Sequence, residues 1–110
     1  MTLLFKKKYL SMILNGAKTA TRRTSRPMVK PGGVYNLRTD FFTYSPHLIQ
    51  VERLYEQKLG DVTLNDAKKE GYLNPEAFRE DWVKLYKDWT SDRYVWVVEF
   101  SYLGSIRAFI

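Results

Sequence analysis

The 110-residue sequence has no cysteine and a single histidine, His47. The absence of cysteine excludes a disulfide scaffold, a thiolate metal site and a cysteine nucleophile. One histidine cannot build a metal centre without help from carboxylates, so we predict neither a metal nor another cofactor. We expect His47 to make a local hydrogen bond where a strand begins.

Long apolar runs are also missing, and none approaches the roughly 20 residues that a membrane-spanning helix needs. At the start of the chain the apolar residues precede Lys6, the reverse of a secretion signal, and no cleavage site of small residues follows. We therefore expect a cytoplasmic protein with no membrane partner. The apolar fraction of 45% excludes a disordered chain. The length fits one domain over residues 1–110, which we expect to be monomeric.

Acidic residues are absent from the first third of the chain. Residues 1–39 carry nine basic side chains and no acid, whereas residues 40–110 carry nine basic and twelve acidic side chains. The whole positive excess therefore lies before residue 40. Such asymmetry is typical of proteins that bind a polyanion or an anionic substrate. A solvated basic surface is the alternative, and charge alone does not separate the two.

The hydrophobic pattern predicts a mixture of helices and strands that does not alternate regularly. Thr63 with Asp66, and Asn74 with Pro75, are typical of helix starts. The expected helices span residues 5–15, 64–70 and 75–89, and the expected strands span 18–24, 34–39, 48–59 and 94–100, with a short edge strand over 105–110. The last long strand is nearly all apolar and is expected at the centre of the sheet. This order favours an α+β fold, with a curled sheet or small β-barrel flanked by helices.

The segment from Gly16 to Arg23 carries the most chemistry. A glycine turn after a helix is followed by Lys18, Thr21, Arg22 and Arg23, a combination that suits an anion or a polarised carbonyl. On a straight strand Thr21 and Arg23 share one face, so Lys18 cooperates with Thr21 only if it lies in the turn. The segment is not a phosphate loop, because it has one glycine and opens a strand. A polar edge strand with surface cations is the alternative.

This pattern, Gly16-x-Lys18-x-x-Thr21-x-Arg23, resembles the signature of ASCH domains, which are small PUA-like β-barrel proteins associated with RNA. The resemblance extends over most of the chain. Ala67-x-x-Glu70 followed by the predicted 75–89 helix is similar to the central acidic helix of that family, and the 97–100 segment is similar to its last core strand. Arg22 departs from the pattern, since an apolar residue is common there.

The resemblance implies two functions. A small bacterial member of the family is an amidohydrolase of N4-acetylcytidine, and its catalytic lysine, threonine and glutamate match Lys18, Thr21 and Glu70. Thr21 would attack the acetyl carbonyl, Lys18 would act as the base, and Glu70 would orient Lys18 or move a proton, although the roles of Lys18 and Glu70 are interchangeable on sequence grounds. Arg23 would stabilise the oxyanion or bind a phosphate. The substrate would then be a modified nucleoside.

The other implied function is RNA binding, which we place first on the sequence alone. Single-stranded RNA binders combine cationic grooves with aromatic side chains on which bases stack. The candidate anion-binding residues are Lys6, Lys7, Lys8, Arg22 and Arg23. The candidate stacking loop contains Phe41, Phe42 and Tyr44, for which burial beneath a loop or contact with a protein partner are the alternatives.

Overall fold

The computed structural model describes residues 3–40 and 45–105. The strands are β1 (Ala20–Arg23), β2 (Val34–Asn36), β3 (His47–Lys58) and β4 (Tyr94–Ser105). The helices are α1 (Leu10–Leu14), α2 (Leu64–Lys69) and α3 (Pro75–Tyr86), and single 3-10 turns, Lys7–Tyr9 and Leu59–Asp61, precede α1 and α2. The aromatic loop at 41–44 lies outside the described residues, as does the edge strand expected over 105–110 apart from Ser105, which ends β4.

The four strands form one antiparallel sheet in the order β1-β4-β3-β2. β4 lies in the middle, as its apolar sequence predicts, because strands with few polar side chains are covered on both faces. Irregularities near Leu48 and Val51 bend β3 against β4. The described strands do not close into a barrel, so of the two forms predicted the curled sheet is confirmed and the fold class is α+β.

The two later helices begin where their capping residues predict. The Thr63 hydroxyl accepts from Asp66 N, while Asp66 accepts from Thr63 N, and Asn74 caps α3 in front of Pro75. The α3 helix ends earlier than the pattern predicts, because Lys87 adopts a left-handed conformation with a φ of 61°. Trp89 therefore lies beyond the helix, although it still packs against the core that α3 covers.

The first helix starts later than its apolar spacing predicts. Lys7 and Lys8 lie in the preceding 3-10 turn, and α1 begins only at Leu10. Three lysines in a first helical turn would oppose the helix dipole, and the later start avoids that repulsion. No described helix has the length and apolar character that crossing a bilayer requires.

Within residues 3–40 and 45–105, two hydrophobic clusters form the core, one near each end of the long strands. The first contains Phe5, Ile13, Val51, Val98 and Phe100, and it packs beneath α1. The second lies beneath α2 and α3, and its buried members are Leu59, Ala67, Phe78, Trp82 and Val95. Because one cluster is built on the N-terminal segment and the other on the later helices, a cleft forms where the two meet.

Candidate functional site

Four polar side chains in the described chain are buried, and all four line one cavity of about 310 Å³. They are Lys18, Thr21, Arg22 and Glu70, with exposed fractions of 3 to 6%. The cavity lies in the cleft between the two hydrophobic clusters, since its walls include Phe5 from one and Phe78 from the other. Buried polar groups are costly unless they are paired, so their collection around one cavity is characteristic of a functional site.

Backbone hydrogen bonds place Lys18 in a turn rather than on the strand. Gly16 takes a positive φ of 84°, and the Asn15 side chain accepts from Ala17 N. Lys18 N then donates to the Met12 carbonyl, and Thr19 N donates to the Lys69 carbonyl at 2.7 Å. The turn is therefore joined both to α1 and to the end of α2, which brings Lys18 opposite Glu70.

Lys18 and Glu70 form a buried ion pair. Lys18 Nζ lies 2.9 Å from Glu70 Oε1 and also donates to the Glu70 backbone carbonyl at 3.1 Å. Glu70 caps the C-terminus of α2, where Gly71 follows with a φ of 97° and ends the helix. The ring of Tyr9 lies beneath the ammonium, with 4.9 Å between Lys18 Nζ and the ring centroid.

Arg22 holds the other oxygen of the same carboxylate. Its Nη1 lies 2.8 Å from Glu70 Oε2, and its Nε and Nη2 donate to Gln57 Oε1 at 3.1 and 2.8 Å. Gln57 in turn donates to Asp66, whose other oxygen lies 3.6 Å from Arg22 Nη2. The guanidinium is thus committed to protein partners. The predicted role of Arg22 as an anion-binding residue gains no support from this geometry.

Thr21 and Arg23 lie on the same side of β1, as the alternation of a strand requires. Arg23 Nε donates to Thr21 Oγ1 at 3.3 Å, while Nη2 donates to the Leu4 carbonyl at 2.6 Å. Burial lowers the pKa of Arg23, and the charges of Glu70 and of nearby tyrosines partly offset that effect. The guanidinium also stacks on Phe5, which fixes it beside the threonine hydroxyl.

The three N-terminal lysines lie outside this buried group. Lys6, Lys7 and Lys8 are all exposed, and among them only Lys6 lines the cavity. Lys8 forms an ion pair with Asp81 of α3 at 3.2 Å. Their predicted role as phosphate contacts remains a prediction.

The sequence did not point to three other residues of the cavity wall. Tyr9, Tyr72 and Asp81 line the cavity together and are joined by hydrogen bonds. Tyr9 and Asp81 each lie on a predicted helix, but helical spacing gives no sign that the two helices meet. His47, by contrast, is the first residue of β3 as expected, and its Nδ1 contacts the Tyr102 hydroxyl at 2.7 Å.

Charge and size together define what the cavity can hold. Four cations and two acids line it, the cations being Lys6, Lys18, Arg22 and Arg23 and the acids Glu70 and Asp81. This excess favours a ligand or transition state on which negative charge develops. The volume lies at the lower end of the roughly 300–1,000 Å³ found for small-molecule sites. Within residues 3–40 and 45–105, no group of three histidine, aspartate or glutamate side chains is placed to hold a metal ion.

Comparison with solved structures identifies the architecture. An ASCH domain from Lactobacillus crispatus superimposes with a TM-score of 0.61 at 17% identity, covering 86% of this chain and 69% of that chain. The chain has an ASCH-like fold. A DUF984 protein from Enterococcus faecalis superimposes with a TM-score of 0.68 at 15% identity, covering 92% of this chain and 70% of that chain. No family model matches the sequence. A search of curated proteins finds no match either.

Proposed function

We propose that this ASCH-like protein is an amidohydrolase that removes the acyl group from the exocyclic nitrogen of an acylated cytidine. The observation that carries the proposal is the convergence of Lys18, Thr21 and Glu70. All three are buried, all three line one cavity, and 2.9 Å separates the lysine nitrogen from the glutamate carboxylate. A nucleophile, a proton carrier and a charge partner enclosed in one cavity are the groups that acyl transfer needs.

The reaction proceeds in two steps through an acyl-enzyme. Lys18 passes a proton to Glu70 and accepts the proton of the Thr21 hydroxyl, whose oxygen attacks the acyl carbonyl carbon. The carbon–nitrogen bond then breaks, and the proton moves to the departing exocyclic nitrogen, which leaves as the free amine. Lys18 next accepts a proton from water, whose oxygen attacks the threonine ester; the bond from the acyl carbon to Thr21 Oγ1 breaks, and this oxygen takes that proton as the carboxylic acid leaves. Glu70 then returns its proton to Lys18, which restores the starting ion pair.

Arg23 and Arg22 each interact with a negatively charged group of this reaction. Arg23 Nε lies 3.3 Å from Thr21 Oγ1, so its guanidinium lies beside the acyl group that this oxygen attacks and faces the carbonyl oxygen on which negative charge develops. Arg22 holds Glu70 Oε2 and leaves Oε1 directed to Lys18. We therefore assign oxyanion stabilisation to Arg23 and the positioning of Glu70 to Arg22.

The aromatic walls support a nucleobase as the part of the substrate that is bound. Phe5, Tyr9, Tyr72, Phe78 and Trp82 line the cavity around the polar group. Flat aromatic faces stack on a pyrimidine, while the buried polar end receives the acylated amine. The volume admits one nucleoside rather than a strand.

The test is hydrolysis of N4-acetylcytidine, followed by chromatographic separation of cytidine. We expect turnover by the wild type and a loss of about a thousandfold or more in Thr21→Ala. Thr19→Ala is the matched control, because Thr19 belongs to the same segment but does not line the cavity. Absence of turnover, or equal rates for Thr21→Ala and the wild type, would overturn the proposal.

RNA binding is a second candidate, favoured by the exposed Lys6 and Lys7, of which Lys6 lines the cavity. It predicts micromolar or tighter binding of single-stranded RNA that weakens steeply as salt is added. The cations deeper in the cavity contribute little to such binding, since Lys18 and Arg22 donate to Glu70 and Gln57 and the half-buried Arg23 donates to the Leu4 carbonyl. A titration at low salt that shows no binding would remove this candidate.

A further inference from the structure

One half-buried part of the cavity wall is a hydrogen-bonded group of Tyr9, Tyr72 and Asp81. The hydroxyls of Tyr9 and Tyr72 both donate to Asp81 Oδ2, the former at 2.8 Å, and the two phenolic oxygens are 3.2 Å apart. Lys8 Nζ donates to Oδ1 at 3.2 Å and to Oδ2 at 3.3 Å. We call Tyr9, Tyr72 and Asp81 the rim cluster.

The rim cluster lies nearer the surface of the cavity than Lys18, Thr21 and Glu70, which we call the catalytic group. The Asp81 side chain is 23% exposed, whereas that of Glu70 is 5% exposed. Tyr9 connects them, because Lys18 lies over its ring while its hydroxyl contacts Asp81. With the acylated nitrogen of the base at Thr21, the sugar lies toward the outer wall, which the rim cluster forms together with the exposed Lys6 and Leu85.

Burial and hydrogen bonding determine the protonation states of the three residues in the rim cluster. Burial acts to raise the pKa of Asp81, but hydrogen bonds from Tyr72, Tyr9 and Lys8 outweigh it, and the pKa is below its ordinary value. Burial, and the hydrogen bonds to Asp81, raise the pKa values of Tyr9 and Tyr72. At neutral pH Asp81 is therefore a carboxylate, and the hydroxyl groups of Tyr9 and Tyr72 both donate their hydrogen bonds to it.

The rim cluster presents hydrogen-bond acceptors to a ligand. Each phenolic oxygen keeps lone pairs, and Asp81 Oδ1 receives one donor where a carboxylate oxygen accommodates two. Neighbouring hydroxyl groups on a sugar are donors that match these acceptors. A phosphodiester has only acceptor oxygens, and here it would meet a carboxylate.

We propose that the rim cluster binds the 2′- and 3′-hydroxyls of the substrate, which makes the substrate a free ribonucleoside. This inference rests on the proposed function for the orientation of the base, and it adds recognition of the ribose hydroxyls, which Lys18, Thr21 and Glu70 do not provide. Deoxynucleosides lose one donor, and a nucleotide within an RNA chain loses the 3′ donor and adds a negative charge.

The experiment compares kcat/KM for N4-acetylcytidine, N4-acetyl-2′-deoxycytidine and an RNA oligonucleotide that contains N4-acetylcytidine. We expect the ribonucleoside to be preferred over each alternative by about tenfold or more, because a partly buried acceptor is otherwise left unpaired. Asp81→Asn should bring the ribose-to-deoxyribose ratio to within about twofold. Glu80→Gln is the control, since this neighbouring acid does not line the cavity, and it should keep the wild-type ratio.

Tyr72→Phe keeps the ring and removes one acceptor, so it tests the same ratio if Asp81→Asn does not fold. Binding separates the inference from the reaction. Dissociation constants for cytidine and 2′-deoxycytidine are measured from tryptophan fluorescence, since Trp82 lines the cavity. Tighter binding of cytidine without hydrolysis of any acylated compound would overturn the reaction and support the rim cluster. Hydrolysis of all three compounds at equal rates, or equal binding of the two nucleosides, would overturn the rim cluster.

Discussion

Two pairs of cations from the acid-free first third lie in opposite environments. Lys18 and Arg22 are buried, with exposed fractions of 3% and 5%, and both contact Glu70. Lys6 and Lys7 are exposed at and just before the 3-10 turn that precedes α1. In the linear sequence all four belong to one basic region. The difference shows that a net charge in a segment says little about its role until the acids that face it are known.

The buried group depends on acids that lie far along the chain. Glu70 and Asp66 belong to the segment around α2, and they meet β1 because Thr19 N bonds the Lys69 carbonyl. A paired buried charge is tolerated, but removal of one partner leaves the other with the full cost of desolvation. The exposed lysines have no such dependence, since water solvates them.

The largest effect should come from breaking the buried pair. Glu70→Ala leaves Lys18 and Arg22 without their shared carboxylate, and we expect it to lower the free energy of unfolding by about 3–5 kcal/mol. Urea denaturation followed by tryptophan fluorescence measures this loss. Glu52→Ala removes an exposed acid of β3 and should change stability by less than about 0.5 kcal/mol. Equal losses in the two variants would contradict the difference between buried and exposed charges.

A smaller effect is expected from Gly71, which places Glu70 at the end of α2. Its φ of 97° favours glycine, and an added Cβ would collide with Met12 Cε. Gly71→Ala should cost about 1–2 kcal/mol of stability from backbone strain, and repacking of Met12 adds to it. Gly32→Ala is the matched control, because Gly32 has a φ of 84° with no atom near the added Cβ. Thermal unfolding that ranks Gly32→Ala as the more damaging change would count against this placement.

Acid should weaken the fold through Asp66, whose carboxylate lies 3.6 Å from the buried Arg22 guanidinium. Burial acts to raise the pKa of Asp66, but hydrogen bonds from Thr63 and Gln57 and the charge of Arg22 lower it below its ordinary value. Because the pKa is lower in the folded state, the stabilisation is present above the ordinary aspartate value of about 3.9 and disappears as the pH falls through the folded value. Asp66→Asn should reduce this dependence by less than about 1 kcal/mol. Urea midpoints measured between pH 2 and pH 7 test it, and identical profiles for variant and wild type would refute it.

The smallest effect on stability is expected from the exposed lysines. The double variant Lys6→Ala, Lys7→Ala should change the free energy of unfolding by less than about 0.5 kcal/mol, since neither side chain is buried. If these lysines contact phosphates, the same variant weakens RNA binding and flattens its salt dependence. The control pair Lys84→Ala, Lys87→Ala removes two exposed lysines on and after α3. A loss above 1 kcal/mol in the Lys6 and Lys7 variant would show that they are structural.

Much of the local structure was predictable because it depends on neighbours in sequence. The caps at Thr63 and Asn74 set the starts of α2 and α3, and the apolar run of β4 predicted its central place. The end of α3 was not predictable, since Lys87 takes a left-handed conformation that apolar spacing does not reveal. Sequence also paired Thr21 with Arg23 through the period of a strand, and the structure confirms that pairing.

The sequence by itself determined the α+β class, and its resemblance to ASCH domains supplied Lys18, Thr21 and Glu70 as candidate residues. The structure decided that Lys18 lies in the turn and not on the predicted strand, because its backbone N–H bonds the Met12 carbonyl. Only the tertiary structure decided that Arg22 is engaged by Glu70 and Gln57, and that Tyr9 and Tyr72 meet Asp81 at the cavity rim. The physical reason is the separation along the chain over which each kind of interaction acts. Caps, turns and strand periodicity act over a few residues, whereas burial and ion pairing depend on elements that the chain brings together from distant positions.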